Sequence, residues 1–416
     1  MKQVLLISFD IIRKGEPNVS LAIGSLLSYL KASEYYLKKF VIEHQSFNLY
    51  EQAPLKVDSI INEITSRYNL RDINIIAISC YVWSDRIVND LIRELRINGF
   101  CGKIILGGNQ ISYSDKVEEK YPDCQVFISG YGEDSLLRAI CDETTPVKKI
   151  KLSDPPDFER LPSPYLSNTI LLNENQEKIR FETKRGCEYN CKFCAHKDLL
   201  GNQIYHHSID RIYNELSYFK DKSVKKINFV DPTFNSGGGY LEVLKYCNDI
   251  SLDAILTLQV RHENINGKRG DEFLELCNSL NVVLEFGLQS IIQDELSILG
   301  RNTNLRKIET FIEKLYLKSI PFEASLIYGI PGQTIESFQK SIDFLIKLGC
   351  KNIKAFGLML LTGTELWSKR DELECSETCE GRFDIPYVTS SGSFTREDWK
   401  AMREIARNLT KSMKHK

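Results

Sequence analysis

The chain has 416 residues, with 54 Lys and Arg against 56 Asp and Glu, a net charge of −2. That length has room for two domains and a tail, and without a basic surplus to neutralise phosphates no nucleic-acid partner is expected. The apolar run behind Met1 is too short to span a membrane and no small-residue cleavage site follows it, so no membrane partner is expected and the protein reads as cytoplasmic, its twelve cysteines serving as ligands or reduced core residues rather than disulfides.

The first third alternates apolar runs with helical patterns. Val4 to Phe9 reads as a buried strand, and apolar positions from Leu21 to Leu30 recur at helical spacing. Phe40 to Phe47 is a second strand, Val57 to Ile64 a helix, and Ile73 to Ser79 a third strand continued by Cys80-Tyr81-Val82-Trp83. Ile87, Leu91, Ile92 and Leu95 mark one face of the next helix. Lys103 to Leu106 is a fourth strand, followed by Gly107-Gly108-Asn109; Val126 to Ile128 is a fifth, followed by Gly130-Tyr131-Gly132-Glu133. Such alternation predicts a parallel sheet covered on both faces. Five strands in residues 1–141 fit a flavodoxin-like, doubly wound α/β (Rossmannoid) domain, which binds ligands at the carboxyl ends of its strands. Gly107, Gly108, Gly130 and Gly132 all fall there. They serve either the close approach of a ligand or tight βα turns, and the glycines alone do not choose.

Residues 142–175 read as a linker, because Pro155, Pro156, Pro162 and Pro164 disfavour helix and sheet alike. From 176 to 362 the alternation resumes, with strands expected over 178–184, 226–230, 254–260, 282–287, 322–328 and 352–358. Six βα units predict a partial (β/α)6 barrel of TIM type, whose chemistry belongs on the loops at the carboxyl ends of the strands. The loop after the first of these strands is Cys187-Glu188-Tyr189-Asn190-Cys191-Lys192-Phe193-Cys194. Spaced C-x3-C-x2-C, its three thiols can turn to a common centre, and soft thiolates suit zinc or an iron–sulfur cluster. A closed zinc site needs a fourth ligand. A cubane cluster held by three cysteines instead leaves one iron open to a small molecule. Further on, strand alternation puts Glu285, Gly287 and Gln289 on one face.

With an aromatic before the last cysteine and Arg185-Gly186 before the first, this stretch resembles the radical SAM superfamily. The resemblance implies a 4Fe–4S cluster on Cys187, Cys191 and Cys194. It also implies S-adenosylmethionine chelated to the open iron and cleaved to a 5′-deoxyadenosyl radical. By the same resemblance Asp231 faces the methionine end of the cosubstrate and Arg261 its carboxylate; a helix cap and a structural ion pair are the alternatives. Glu285, Gln289 and Ser290 match a motif that meets the ribose and the methionine amine, and Tyr328, Gly329 and Pro331 one that lies near the adenine. The first domain is similar to the cobalamin-binding domain of one radical SAM subclass, which makes Ser79, Tyr81, Gly107, Gly108, Gly130, Gly132 and Glu133 candidate cobalamin contacts. The loop from Asp10 to Glu16 holds no histidine, a departure from the cobalamin mutase pattern.

Residues 363–416 read as a loop and a helix. Phe394 to Met413 carries Trp399, Met402, Ile405, Ala406 and Leu409 on one side, with Thr395 at the cap. Cys375 and Cys379 are candidate hydrogen donors to a substrate radical. The functional expectation is a cobalamin-dependent C-methyltransferase that takes hydrogen from an unactivated carbon. It would act on a small molecule or a peptide and draw electrons from a flavodoxin or ferredoxin. The alternatives are a radical epimerase, dehydratase or rearrangement enzyme whose first domain lacks cobalamin, and a non-catalytic zinc- or cobalamin-binding module.

Overall fold

The computed structural model describes residues 1–52, 55–114, 116–142, 150–153, 155–196 and 201–412. The chain divides into two compact units: Met1–Leu172 with Gly381–Asp384, and Asn173–Glu380 with Ile385–Lys416.

In the first unit the apolar runs form β1 (Lys2–Asp10), β2 (Phe40–Asn48), β3 (Ile75–Ser79), β4 (Lys103–Gly107) and β5 (Val126–Gly130), joined by β6 (Ile150–Ser153). All pairs are parallel in the order β2-β1-β3-β4-β5-β6. The order reverses between β1 and β3, the topological switch of a doubly wound sheet. Residues 4–10 of β1 and all of β3 are buried. Leu5, Ile7, Phe9, Ile76 and Leu106 pack on one face with Ile60, Ile64, Leu91 and Leu95 from helices Val57–Arg67 and Asp85–Ile97. Val4, Leu6, Ile75, Ile105 and Ile128 pack on the other with Ile23, Leu27, Leu136 and Ile140 from helices Leu21–Ala32 and Glu133–Cys141. The sixth strand lies inside the stretch expected as linker. The prolines that marked that stretch all come after it, and Phe158, Leu161, Tyr165 and Ile170 beyond it are buried, so this segment packs into the first unit.

The second unit contains β7 (Ile179–Phe181), β8 (Lys184–Arg185), β9 (Tyr205–His206), β10 (Lys226–Phe229), β11 (Ile255–Val260), β12 (Val282–Gln289), β13 (Phe322–Tyr328) and β14 (Ile353–Gly357). Six of them form a parallel sheet in the order β14-β13-β12-β11-β10-β7, winding in one direction. Along β12 buried and half-buried residues alternate strictly, with Glu285, Gly287 and Gln289 on the more open face. The strand expected over 178–184 breaks after Phe181. The Thr183 amide donates to the Asp231 carboxylate (2.8 Å), and Lys184 and Arg185 pair antiparallel with His206 and Tyr205.

The tail departs from the expected loop. Ser376–Glu380 (β15) and Ile385–Ser390 (β16) form an antiparallel hairpin. Thr378, Ile385, Tyr387 and Thr389 give it the β-branched and aromatic side chains a pleated surface favours. The helix Arg396–Ser412 follows, with Trp399, Met402 and Ala406 buried. No described helix is long and apolar enough to cross a membrane.

Candidate functional site

The cysteine loop leaves β8 through Gly186. Its φ is +89°, and a Cβ there would overlap the Gln203 carbonyl as the chain returns, so only glycine fits. The loop is tied down at its middle. Lys192 N donates to Leu299 O (3.0 Å) and Leu366 N donates to Lys192 O (2.9 Å). These bonds fasten it to the segments that follow β12 and β14. Gly300 (φ +65°) sits so close that a Cβ would lie 3.0 Å from Asn190 O.

Cys187, Cys191 and Cys194 are all half-buried. Cys187 Sγ is 3.9 Å from Thr233 Oγ1. Cys191 Sγ faces two cations, Arg261 Nη2 at 3.4 Å and Arg301 Nη1 at 3.7 Å. Burial first, and then Cys191 and Cys187 alongside, push the Cys194 thiol up to about 11 against the opposing pull of the His196 amide. Deprotonation by a bound metal would offset that cost. Among the described residues no three His, Cys, Asp or Glu side chains converge as they would around one metal ion.

Arg261 is held firmly. Its amide donates to Asn235 Oδ1 (2.9 Å), its carbonyl accepts from Asn235 Nδ2 (2.8 Å), and its guanidinium lies 3.9 Å over the Tyr189 ring. Tyr189 in turn donates to Asn264 Oδ1 (2.9 Å). Arg301 was not anticipated from the sequence. Its Nη2 donates to Gly287 O (2.7 Å), while its buried Nε has no partner among the described residues. Gln289 takes a left-handed φ of +69° at a bulge in β12. Its side chain folds back over Gly287, where a Cβ would overlap Gln289 Nε2. Glu285 stays on the open face and accepts from Gln259 Nε2.

Several residues expected as cosubstrate contacts are engaged within the protein. Asp231 is fully buried, accepting from Thr183 N and Thr183 Oγ1 (2.5 Å); it shapes the approach to the cysteine loop and offers no surface to a ligand. Ser290 is also fully buried and donates to Glu295 (2.5 Å). Glu295 gathers Gln333 Nε2 (3.1 Å) and Ser337 Oγ (2.5 Å) as well. The turn at Tyr328, Gly329 and Pro331 is buried. The amides of Gly329 and Ile330 donate to Gln333 Oε1 (2.7 and 3.3 Å), and Trp399 and the Val388 carbonyl cover Gly329. Burial pushes the Tyr328 hydroxyl up to about 12. These residues brace the loops instead of facing the open side of the sheet. Lys184 was likewise unforeseen. It is 2% exposed and donates to the carbonyls of Phe234 (2.7 Å) and Ser236 (2.5 Å), and burial brings its ammonium down to about 8.

Cys375 and Cys379 lie at the hairpin. The Cys375 thiol turns to Leu373 O (3.7 Å), with burial pushing it up to about 11, and Cys379 is exposed opposite Pro386.

In the first unit the carboxyl ends of the strands hold a separate polar group. Ser79 is buried and its Oγ has no partner among the described residues. Tyr81 stacks on Trp83 at 4.7 Å. Gly107 leaves ordinary space, a Cβ falling 3.7 Å from Ile128, whereas Gly108 (φ +110°) admits the Cys80 carbonyl, 2.5 Å from where its Cβ would be. Gly130 N donates to Ser112 Oγ (3.0 Å), Gly132 abuts Leu26, and the buried Glu133 carboxylate accepts from Ser25 Oγ (2.8 Å). Gly108, Gly132 and Glu133 thus have packing roles of their own. Asp10 accepts from Ser8 and from Ser46 (2.9 Å), and Ser8 meets His44 Nε2 (2.8 Å).

Residues 181–345, which hold the open-sided sheet with three thiols on its first loop, match the family model of the radical SAM superfamily. The chain is similar in sequence to cobalamin-dependent radical SAM methyltransferases and to methylthiotransferases. It is 23% identical over 340 residues to the cobalamin-dependent radical SAM methyltransferase TokK of Streptomyces tokunonensis, covering 70% of this chain and 48% of that protein. It is 23% identical over 276 residues to the tRNA-2-methylthio-N(6)-dimethylallyladenosine synthase of Finegoldia magna, covering 62% of this chain and 57% of that protein. The chain thus spans about half the length of these curated relatives. Its fold matches that of the radical S-adenosylmethionine methyltransferase TsrM from Kitasatospora setae, solved with cobalamin and a [4Fe-4S] cluster bound. The TM-score is 0.68 at 14% identity, covering 97% of this chain and 85% of that one.

Proposed function

We propose that the chain is a radical SAM methyltransferase. It would hold a 4Fe–4S cluster on Cys187, Cys191 and Cys194, S-adenosylmethionine beside it, and cobalamin on the first unit. The observation that carries this reading is the set of three half-buried thiols on one loop with two guanidiniums at Cys191. The donor set fits the cluster, since three soft ligands leave one iron position open. The orphaned Arg301 Nε fits a carboxylate-bearing cosubstrate. The orphaned Ser79 Oγ, beside the Tyr81–Trp83 pair, fits a large ligand with polar edges in the first unit.

When bound, the cluster supplies one electron for cleavage of S-adenosylmethionine to the 5′-deoxyadenosyl radical, and cobalamin supplies a methyl carrier for the carbon from which that radical takes hydrogen. The chain's residues place and orient. Arg261 and Arg301 offer fork-shaped donors suited to the methionine carboxylate. Gln289 and Glu285 present an amide and a carboxylate from one strand face to the amine and ribose. Thr233 lies against the first cysteine. The substrate is a small molecule or a peptide, and a flavodoxin or ferredoxin serves as electron donor. The alternative with a cysteine hydrogen donor gains no support from the local contact of Cys375 or the exposed position of Cys379.

The test is anaerobic reconstitution of protein from cells supplied with cobalamin, with iron, sulfide and cobalt analysis. Expected are one cubane cluster and one cobalt per chain, and methyl transfer from labelled S-adenosylmethionine. A cluster without cobalt would remove the methyl-transfer reading, and no iron at all would remove the whole proposal.

A further inference from the structure

We infer that His207 is a positioning residue for the cysteine loop, fastening its exit to its entrance through Glu182 and Arg211. The inference rests on the reading of that loop as the ligand set of the cluster.

The ladder that joins the entrance of the cysteine loop to the chain beyond it is short. β8 and β9 have two residues each, with one further backbone bond, from His207 N to Thr183 O (3.0 Å). A two-stranded ribbon of that size has little stability of its own. Side chains that are buried or half-buried complete the closure. Glu182, at the entrance, accepts from Arg185 Nε (2.8 Å) and lies 3.2 Å from His207 Nε2. His207 Nδ1 lies 2.9 Å from Arg211 Nη1. Arg211 and Glu215 stand 3.4 Å apart, one turn along the helix Ile209–Asp221. The helix begins at Ser208, whose hydroxyl accepts from Arg211 N (3.3 Å). The His207 side chain is 0% exposed and that of Glu215 1%. Lys184, Tyr205 and His206 are the other ionisable residues of the ribbon.

This geometry fixes the imidazole's proton. A guanidinium can only donate, so Nδ1 must accept from Arg211. The proton then sits on Nε2, which donates to Glu182. His207 is thereby a connector with a donor at one end and an acceptor at the other, set among two carboxylates and two guanidiniums. Glutamine can reproduce that pair of bonds, its amide nitrogen meeting Glu182 and its carbonyl meeting Arg211. Leucine fills similar space and makes neither bond, leaving a half-buried carboxylate and guanidinium each with one bond fewer.

The experiment compares wild type with His207→Gln and His207→Leu, each reconstituted with iron and sulfide. The readout is the rate of iron loss to a chelator, alongside the thermal midpoint and the electron paramagnetic resonance line shape of the reduced cluster. Expected is His207→Leu losing iron about tenfold faster than wild type with an altered line shape. His207→Gln should stay within about twofold of wild type in rate and keep its line shape. If the leucine variant folds and keeps iron as wild type does, the inference falls. It falls equally if glutamine does as much damage as leucine, since the ring and not its two bonds would then matter. Amide exchange in the metal-free proteins, followed in peptides covering Cys187 to Cys194, supplies a second reading. Faster exchange is expected in the leucine variant alone, and equal exchange in all three would overturn the clamp. Wild type that takes up no iron but shows this difference would sink the cluster reading and leave the clamp standing.

Discussion

The two units are each built on a six-stranded parallel sheet, and the sheets differ in what their faces do. In the first, β1 and β3 are buried on both sides, and two apolar clusters sandwich the sheet. In the second, β12 alternates buried and half-buried residues, and its open face carries Glu285, Gly287 and Gln289. Connectivity accounts for the difference. A sheet that reverses its winding at the β1–β3 switch receives helices on both faces. A sheet that winds one way, β7 then β10 to β14, receives its helices on one face and keeps a side for ligands. Alternation inside a parallel sheet therefore marks a face left open, whereas the central strands of the first unit are covered on both sides.

The largest test of this contrast removes the ligands of the second unit alone. Replacing Cys187, Cys191 and Cys194 with Ala should abolish iron uptake and 5′-deoxyadenosine formation, because no ligand set remains. The half-buried thiols contribute little packing, so the thermal midpoint of the metal-free protein should stay within a few degrees. Persistent 5′-deoxyadenosine formation would refute the assignment. Cobalt binding on the first unit should survive, and its loss would show that the units do not bind independently.

The next effect belongs to the cations at Cys191. Arg301→Met should weaken S-adenosylmethionine binding on the order of 100-fold, because it removes a charge-assisted pair of donors and leaves Gly287 O without its bond. Arg261→Lys keeps the charge and loses the fork, so about tenfold is expected. Equilibrium binding to the cluster-loaded protein checks both, and unchanged affinity in Arg301→Met would place the cosubstrate elsewhere.

The cysteine loop and the strand alternation were legible in the sequence because both are local patterns. Three soft ligands in eight residues need no fold to be noticed, and alternation along one strand assigns Glu285 and Gln289 to a face before any neighbour is known. Arg301 was not legible. Its role comes from a contact with Cys191, 110 positions earlier, and a lone arginine in a polar loop carries no signal of that. Asp231 and Ser290 show the converse. A carboxylate or hydroxyl at the end of a strand has the right chemistry for a ligand, but the nearest donor, Thr183, and the nearest acceptor, Glu295, belong to the protein. The hairpin at Ser376–Ser390 was missed because its turn lacks a two-residue Asn-Gly or Asp-Gly signal. The sixth strand of the first sheet was missed because the prolines just beyond it dominated the local composition.

A third prediction sets a glycine of one sheet against a glycine of the other. Gly287→Ala brings a methyl into Gln289 Nε2, so the amide at the end of that side chain must swing away from its place over the strand. Expected is about tenfold weaker S-adenosylmethionine binding, with stability changed by no more than about 1 kcal/mol because the displaced group ends a flexible side chain. In Gly107→Ala the methyl would lie 3.7 Å from Ile128, at ordinary contact distance. Stability should then change by no more than about 0.5 kcal/mol. Similar losses of S-adenosylmethionine binding in the two variants would remove the distinction between an open face and a strand end.

The smallest expected effect is one of pH and concerns Glu182 alone. Burial by itself would raise its carboxyl, but the Arg185 guanidinium and the hydrogen bond from His207 outweigh burial and bring it to about 2, from an ordinary value of 4.5. A carboxyl depressed in the folded state contributes stability that is complete above its unfolded pKa and lost as pH falls through the folded one. Wild type should therefore exceed Glu182→Gln in stability by a constant margin above pH about 5, and the margin should shrink steadily as pH falls toward 2. Denaturant titrations of the metal-free proteins at stepped pH measure it. A margin that stays flat down to pH about 2.5 would mean that Glu182 is not held below its ordinary range, and that Arg185 contributes to the loop by packing and not by charge.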